Sequence, residues 1–187
     1  KVTFLSGNHD TEISDLAELE FCDGRVWVTH GDVFFDLIAP WSHHRAEFVR
    51  RLTALSAGLS THETKRIETR LRLNRIACLN LPKGSAPSWH GPWASGQRLV
   101  QTLFPPTRVF EMLKAWQRTP ALVARMARAQ RPKAQVVVLG HTHYPGVWRL
   151  RSPHPLTVIN TGSFSRPFGS LFVELHGDQV RVVRINK

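Results

Sequence analysis

The sequence of 187 residues has only two cysteines, few acidic residues and no long apolar run. Cys22 and Cys78 are widely separated and lack the spacing of a metal-binding pair, which favours a reduced, cytoplasmic protein. No run of about 18 apolar residues occurs, so no transmembrane helix is predicted. The first residues also lack the charged and then apolar pattern of a secretory signal. At this length we expect one domain, residues 1–187, with its own hydrophobic core.

Acidic residues are scarcest in the middle of the chain. Between Pro40 and Ala134 there are 13 arginines and 4 lysines against 4 acidic residues, a net charge of +13. The rest of the chain has 8 basic and 10 acidic residues. We therefore interpret residues 41–131 as a basic helical insertion or lid. Its charge predicts an anionic partner. The candidates are a phosphorylated substrate, nucleic acid and an acidic membrane surface, and in the last case a cytoplasmic protein would be membrane-associated.

Three predicted strands are each followed by a glycine-containing turn that is rich in His, Asp or Asn. The strands and their turns are Lys1–Ser6 with Gly7-Asn8-His9-Asp10, Arg25–Thr29 with His30-Gly31-Asp32, and Lys133–Leu139 with Gly140-His141-Thr142-His143. The carboxyl ends of strands in an open α/β sheet meet at one crevice. We therefore expect the three turns to converge on one site.

The remaining pattern predicts helices in the middle and short strands at the end of the chain. The predicted helices are Thr11–Glu20, His44–Ala57, Thr61–Leu81, Thr107–Arg118 and Ala121–Gln130, the last beginning at an N-cap Thr119 and a first-turn Pro120. Pro82–Pro106 is predicted to be a loop. The predicted later strands are Gly146–Leu150, Leu156–Asn160, Ser170–Leu175 and Gln179–Ile185. This order indicates an α/β sandwich of mixed sheets that is interrupted by a helical insertion.

The residue types in the three turns suit transition metals. Imidazole nitrogens favour zinc, iron or manganese, and Asn8, His30, His141 and His143 form a mixed nitrogen and oxygen set. His141 and His143 can point into one site and bind two different metals. Two metals about 3.5–4 Å apart can clamp both oxygens of a phosphoryl displacement, with a bridging hydroxide as nucleophile. His9, beside Asn8, is then a candidate acid or electrostatic stabiliser oriented by Asp10.

The motifs GNHD, THGD and GHTH, in this order, resemble the later motifs of the calcineurin-like metallophosphoesterase family. The resemblance covers Lys1–Asp32 and Lys133–Ile185. It implies an αββα sandwich with two divalent metal ions (manganese favoured over iron or zinc). By resemblance one metal is bound by Asn8, His30 and His141, and the other by His143. His9 would act on the phosphate or the leaving group, supported by Asp10.

The sequence departs from this family at its beginning. The family's earlier Asp-x-His and Gly-Asp-x-x-Asp motifs, which supply the other metal ligands, do not occur. Asp32 and Asp36 cannot replace them, because they follow GNHD instead of preceding it. One interpretation is a piece of a longer protein, without the N-terminal strands of the sandwich. The other is a shortened homologue that has one weak metal site or none.

The expected activity is hydrolysis of a phosphoester or pyrophosphate bond. GHTHYP and NTGSF are similar to the motifs of bacterial UDP-2,3-diacylglucosamine pyrophosphatases, which use a helical insertion as a lid over acyl chains. That resemblance implies an anionic substrate that is nucleotide-linked or lipid. Arg166 is a candidate for holding a substrate phosphate, with a solvated loop arginine as the alternative. The competing hypotheses are a nucleic-acid or membrane-surface binding module on a degenerate scaffold, and a nuclease.

Overall fold

The computed structural model describes residues 2–36, 44–79, 81, 106–163 and 169–185. In these ranges the chain is an α/β protein with a mixed five-stranded sheet, a two-stranded hairpin and four helices. The strands are β1 (Glu18–Phe21), β2 (Val26–Thr29), β3 (Val136–Leu139), β4 (Gly146–Leu150), β5 (Leu156–Asn160), β6 (Ser170–His176) and β7 (Gln179–Ile185). The helices are α1 (Arg45–Ser56), α2 (Thr61–Lys65), α3 (Ile67–Cys78) and α4 (Pro106–Gln130), and a 3₁₀ turn covers Asp32–Phe34.

The five-stranded sheet has the order β1-β2-β3-β5-β4. Its three central strands, β2, β3 and β5, are parallel, whereas β1 and β4 are antiparallel to their neighbours. The central strands consist mainly of valine and other apolar residues, as expected for parallel strands that are covered on both faces. Leu139 pairs with Asn160 at the end of the β3–β5 ladder. The chain therefore leaves the carboxyl ends of β2, β3 and β5 at one edge of the sheet.

Two apolar layers cover the opposite faces of this sheet. On one face Trp27, Val137 and Val158 are fully buried in a cluster that includes Ile67 of α3 and Val123 of α4. On the other face the β6–β7 hairpin supplies the covering side chains, which are Leu171, Val173, Leu175, Val180 and Val182. The predicted antiparallel layer is thus a single hairpin whose tight turn is Gly177–Asp178, between the paired residues His176 and Gln179.

Helix α4 is continuous, so the prediction of two helices separated at Thr119-Pro120 is wrong. Pro120 lies inside the helix, and the Thr119 hydroxyl donates to the carbonyl of Ala115 at 2.7 Å instead of capping a new helix. Thr119, Val123 and Ala127 are buried, because this face packs against the sheet. The burial of a long helix face outweighs the local preference of proline for a first turn. No helix in the part of the chain that the structure describes is long and apolar enough to cross a membrane.

The first half of α4 leaves large apolar side chains exposed. Phe110 and Leu113 are 66% and 51% exposed, whereas Trp116 is partly buried. The buried face of α4 instead begins at Ala115 and contains mostly small side chains, which allow close approach to the sheet. Earlier in the chain, Ile67, Leu71 and Cys78 of α3 are buried. The predicted loop Pro82–Pro106 lies, except for its last residue, outside the described residues.

Two predictions near the beginning of the chain are wrong. Residues 2–6 form no strand, since none of the described strands pairs with them, and Val2 and Phe4 are 76% and 54% exposed. The predicted helix Thr11–Glu20 is absent from its described residues, and strand β1 begins at Glu18 instead. The physical reason is the tight turn after Phe21, which folds β1 back onto β2 and satisfies its backbone in a ladder.

Candidate metal centre

Three donor atoms from three separate turns meet at the carboxyl edge of the sheet. Asn8 Oδ1 lies 2.8 Å from His30 Nε2 and 3.1 Å from His141 Nδ1. The two ring nitrogens lie 3.3 Å apart, and the imidazoles meet edge to face with their centroids 5.2 Å apart. We call Asn8, His30 and His141 the three-donor cluster. The predicted convergence of the GNHD, THGD and GHTH turns is therefore present.

The spacing of these atoms fits a divalent metal ion. Neighbouring ligand atoms on an ion with bonds of about 2.1 Å stand roughly 3.0–3.4 Å apart, depending on coordination geometry. The three separations in the cluster, 2.8–3.3 Å, are close to this range. The cluster holds two imidazoles and one amide oxygen, and the described residues include no group of three or more His, Cys, Asp or Glu side chains placed to hold a metal. Three donors of this kind would fill only part of the coordination sphere of such an ion.

Two glycines make room for the imidazoles. A Cβ on Gly7 would lie 2.7 Å from His30 Nδ1, so the ring packs directly against the backbone of the GNHD turn. Gly31 has a φ of 108°, and a Cβ there would approach Leu139 Cδ1 to 3.0 Å and His141 Cβ to 3.4 Å. Only glycine combines that backbone conformation with so little space. These contacts explain why the predicted motifs need glycine at these two positions.

The turn Gly140–His143, which we call the histidine loop, has an unfavourable backbone. His141 and His143 have φ values of 63° and 60°, in the left-handed region that non-glycine residues rarely adopt. Each such residue costs on the order of 1–3 kcal/mol and persists only where its surroundings fix it. Conformations of this kind cluster at functional sites. Two of the three histidines that the sequence proposed as ligands, His141 and His143, are held in this way.

Asn160 fixes the histidine loop from inside the sheet. Its side chain is fully buried, and its Nδ2 donates to the carbonyl of Gly140 at 2.8 Å and to the hydroxyl of Thr142 at 2.7 Å. Its Oδ1 accepts the backbone N–H of Gly162 at 3.0 Å. The sequence analysis did not give Asn160 this role. The available signal was a buried amide at the end of an apolar strand beside the proposed site.

Asp32 and Asn74 form a second polar contact that the sequence analysis missed. Asp32 is buried, and its Oδ2 accepts a hydrogen bond from Asn74 Nδ2 of α3 at 3.1 Å. Burial lowers the pKa of His30, while the charge of Asp32 opposes that effect. Because the net shift of the His30 pKa is downward, its ring is neutral near pH 7, the form in which an imidazole can bind a metal.

The other predicted site residues lie around the cluster rather than in it. His9, Asp10 and His143 are exposed. The charges of His9 and His143 each lower the pKa of His30, and Asp10 raises it, so all three side chains are within electrostatic reach of this ring. Although His143 as a whole is exposed, its ring is partly screened from solvent, and this desolvation, followed by the charge of His9, lowers the pKa of His143 as well. Arg166 lies outside the described residues.

Two arginines of α3 bond the segments that directly follow the GNHD and THGD turns. Arg75 donates through Nε to the carbonyl of Thr11 at 3.0 Å and through a terminal nitrogen to Asp15 at 2.7 Å. Arg70 donates to the carbonyl of Val33 at 3.1 Å. These arginines were predicted only as part of a basic face. In the structure they connect the helical segment to the GNHD and THGD turns.

Comparison with known proteins gives no family for this chain. No protein-family model matches the sequence, and no curated protein matches it. Function is therefore inferred from the residues of the site itself. These are the three-donor cluster, the strained histidine loop and the buried polar residues that support both.

Proposed function

We propose that this protein is a metal-dependent hydrolase of a phosphoester or pyrophosphate bond, of the calcineurin-like metallophosphoesterase type. The observation that carries the proposal is the meeting of Asn8 Oδ1, His30 Nε2 and His141 Nδ1 within 3.3 Å of one another. These residues come from three motifs that are far apart in the sequence and follow the order of that family. In this proposal the five-stranded sheet and the hairpin belong to an αββα sandwich.

The proposed roles follow from burial and protonation. Asn8, His30 and His141 hold one divalent ion, with manganese favoured, and the exposed His143 is available to a second ion. A bound divalent ion polarises a phosphoryl oxygen and lowers the pKa of bound water from about 15.7 towards 7. His9 is exposed beside Asn8, so it can reach a phosphate and give a proton to the leaving oxygen, with Asp10 supporting its charged form.

Metal binding is the first test. Titration calorimetry of the protein with Mn²⁺ should show stoichiometric binding that is lost in His30→Ala and His141→Ala. The loss should exceed the roughly 10–100-fold effect of removing an outer-shell partner, since each variant removes a direct ligand. His62→Ala is the matched control, because His62 is exposed on α2 and belongs to none of the three turns. Wild-type affinity in both ligand variants would refute the proposed centre.

Hydrolysis is the second measurement. With Mn²⁺ the protein should cleave an aryl phosphodiester or a nucleoside pyrophosphate, and chelation of the metal should abolish this activity. His9→Ala should lower the rate by about 10²–10⁴-fold, the usual contribution of a general acid or base, without weakening Mn²⁺ binding. Turnover that is insensitive to chelation, or unaffected by His9→Ala, would contradict the mechanism.

The second candidate function is a binding module for nucleic acid or an acidic membrane surface. The observation that favours it is the net charge of +13 between Pro40 and Ala134. Such binding should weaken steeply with salt, because phosphate contacts release counterions. A nuclease would combine this salt dependence with metal-dependent cleavage. A binding module alone would contain no stoichiometric transition metal, so the calorimetric titration separates the two candidates.

A further inference from the structure

The histidine loop is bonded from two opposite sides. Asn160 holds it from β5, through the carbonyl of Gly140 and the hydroxyl of Thr142. From the other side, the indole Nε1–H of Trp116 in α4 donates to the carbonyl of Thr142 at 2.9 Å. That carbonyl belongs to the peptide between Thr142 and His143. The bond from α4 therefore acts on the backbone between the two proposed ligands.

A stacked pair of rings strengthens this contact. The indole of Trp116 and the ring of Tyr144, the residue directly after the loop, are nearly parallel at 19° with centroids 4.6 Å apart. Tyr144 is 39% exposed, and the stack covers part of its ring. Trp116 of helix α4 thus contacts the loop and the residue after it through a hydrogen bond and a ring face.

The backbone of the loop explains why such a contact matters. Two histidines with a left-handed backbone conformation within three residues are unfavourable without external support. Rotation of the Thr142–His143 peptide would change φ of His143 directly and would disturb the bond from Asn160 to Thr142. His141, two positions earlier in the same loop, has its Nδ1 3.1 Å from Asn8 Oδ1. Loss of either support should therefore let the donor atoms separate.

We propose that Trp116 is a positioning residue of the metal centre. By holding the Thr142 carbonyl and the Tyr144 ring, it keeps the histidine loop in its ligand-presenting conformation. Metal affinity then depends on the docking of helix α4, and bound metal stabilises that docking in return, since such coupling is reciprocal. This inference rests on the proposed function and adds to it a link between the insertion and the site.

The test compares two tryptophans that each donate one indole hydrogen bond. Trp116→Phe keeps an aromatic ring against Tyr144 but removes the donor to Thr142. Trp27→Phe removes the donor to Glu18 Oε2, at 2.7 Å, from a tryptophan that is fully buried in the core. Mn²⁺ affinity is measured by calorimetry, together with thermal stability, at a temperature where all variants are folded.

Trp116→Phe should weaken Mn²⁺ binding about tenfold, the lower end of the effect of outer-shell partners, with a small change in melting temperature. Trp27→Phe should lower the melting temperature more and leave Mn²⁺ binding within about twofold of wild type, because Glu18 bonds Trp27 and Arg131 and not the three-donor cluster or the histidine loop. Tyr144→Leu, at a partly exposed position that tolerates replacement, should weaken binding by an intermediate factor. It also keeps the inference testable if Trp116→Phe fails to fold.

The outcomes separate the inference from the function on which it rests. If wild type binds no Mn²⁺, the proposed metal centre is wrong and the inference is wrong with it. If wild type binds Mn²⁺ and both Trp116→Phe and Tyr144→Leu bind it equally well, only the positioning role is refuted. A loss of affinity in Trp27→Phe as large as that in Trp116→Phe would also refute it, because the effect would then follow general destabilisation.

Discussion

The turns at the sheet edge and the arginine-rich helices use their polar residues in different ways. At the sheet edge, Asn8, His30 and His141 bring their donor atoms within 3.3 Å of one another. In the helices, several arginines are paired with acidic residues or carbonyl oxygens of the protein itself. Arg50 and Arg51 of α1, for example, both bond Glu47 and hold the pKa of its carboxyl at about 2.

Arg131, directly after α4, is the strongest case of such pairing. Its guanidinium lies 2.6 Å from Glu18, 2.9 Å from Glu20 and 3.0 Å from Glu68, and 5.6 Å from the centre of the Trp27 ring. A charge that is already neutralised by three carboxylates contributes little to an anion-binding surface. The comparison teaches that donors brought together from three distant turns indicate a site more sharply than an excess of one charge in the sequence does.

Replacing Arg131 should give the largest effect on stability. Arg131→Ala should lower the free energy of unfolding by about 2–3 kcal/mol, less than for a fully buried pair because Glu20 and Glu68 are about half exposed. Chemical denaturation measures this change. Arg125→Ala, at an exposed position of α4, is the control and should change stability by no more than about 0.5 kcal/mol. Equal effects of the two variants would remove the distinction between paired and solvated arginines.

Filling the space beside His30 tests the turns at the sheet edge. Gly7→Ala places a methyl group 2.7 Å from His30 Nδ1, so the ring must move away from Asn8 and His141. We expect a loss of about 2 kcal/mol of stability, as for other overpacked sites. Mn²⁺ binding should fall together with stability, because the ring that moves is a proposed ligand. Calorimetry and denaturation of the same samples measure both changes.

Gly58→Ala is the control for Gly7→Ala. Gly58 also lies in a turn, at φ +90°, but a Cβ there would meet nothing within 4 Å. The left-handed backbone makes alanine unfavourable by about 1–2 kcal/mol, so stability should fall without any change in Mn²⁺ binding. Weaker Mn²⁺ binding in Gly58→Ala would show that the metal measurement follows stability rather than the geometry of the site.

The smallest expected effect concerns an arginine that joins the two regions. Arg75→Gln removes the bonds from α3 to the Thr11 carbonyl and to Asp15, both in the segment that follows Asn8. We expect a loss of about 1 kcal/mol, typical of a partly exposed hydrogen-bonded group, and a slight weakening of Mn²⁺ binding. Arg72→Gln, exposed on the same helix, should change neither. If Arg75→Gln also changes neither, the helical segment does not support the site through this arginine.

The sequence by itself determined the parts that depend on local chain geometry. Strand, glycine and histidine in immediate succession predicted the ends of β2 and β3, and the placement of His30 and His141 at one edge. Short strands with period-two patterns predicted β4 and β5 with their observed limits. These features were predictable because the pattern of apolar residues and the turn residues that specify them lie within a few positions of one another.

Tertiary structure alone decided the features that depend on distant neighbours. Burial of Thr119 and Val123 against the sheet keeps α4 helical through Pro120, against the local signal. Whether an arginine is paired depends on carboxylates that can lie more than 100 positions away in the sequence, such as Glu18 for Arg131. Asn160 and Trp116 became relevant only when β5 and α4 were placed on either side of the histidine loop. Local sequence can specify a turn, but only the packed fold can hold two histidines of that turn in the left-handed backbone conformation.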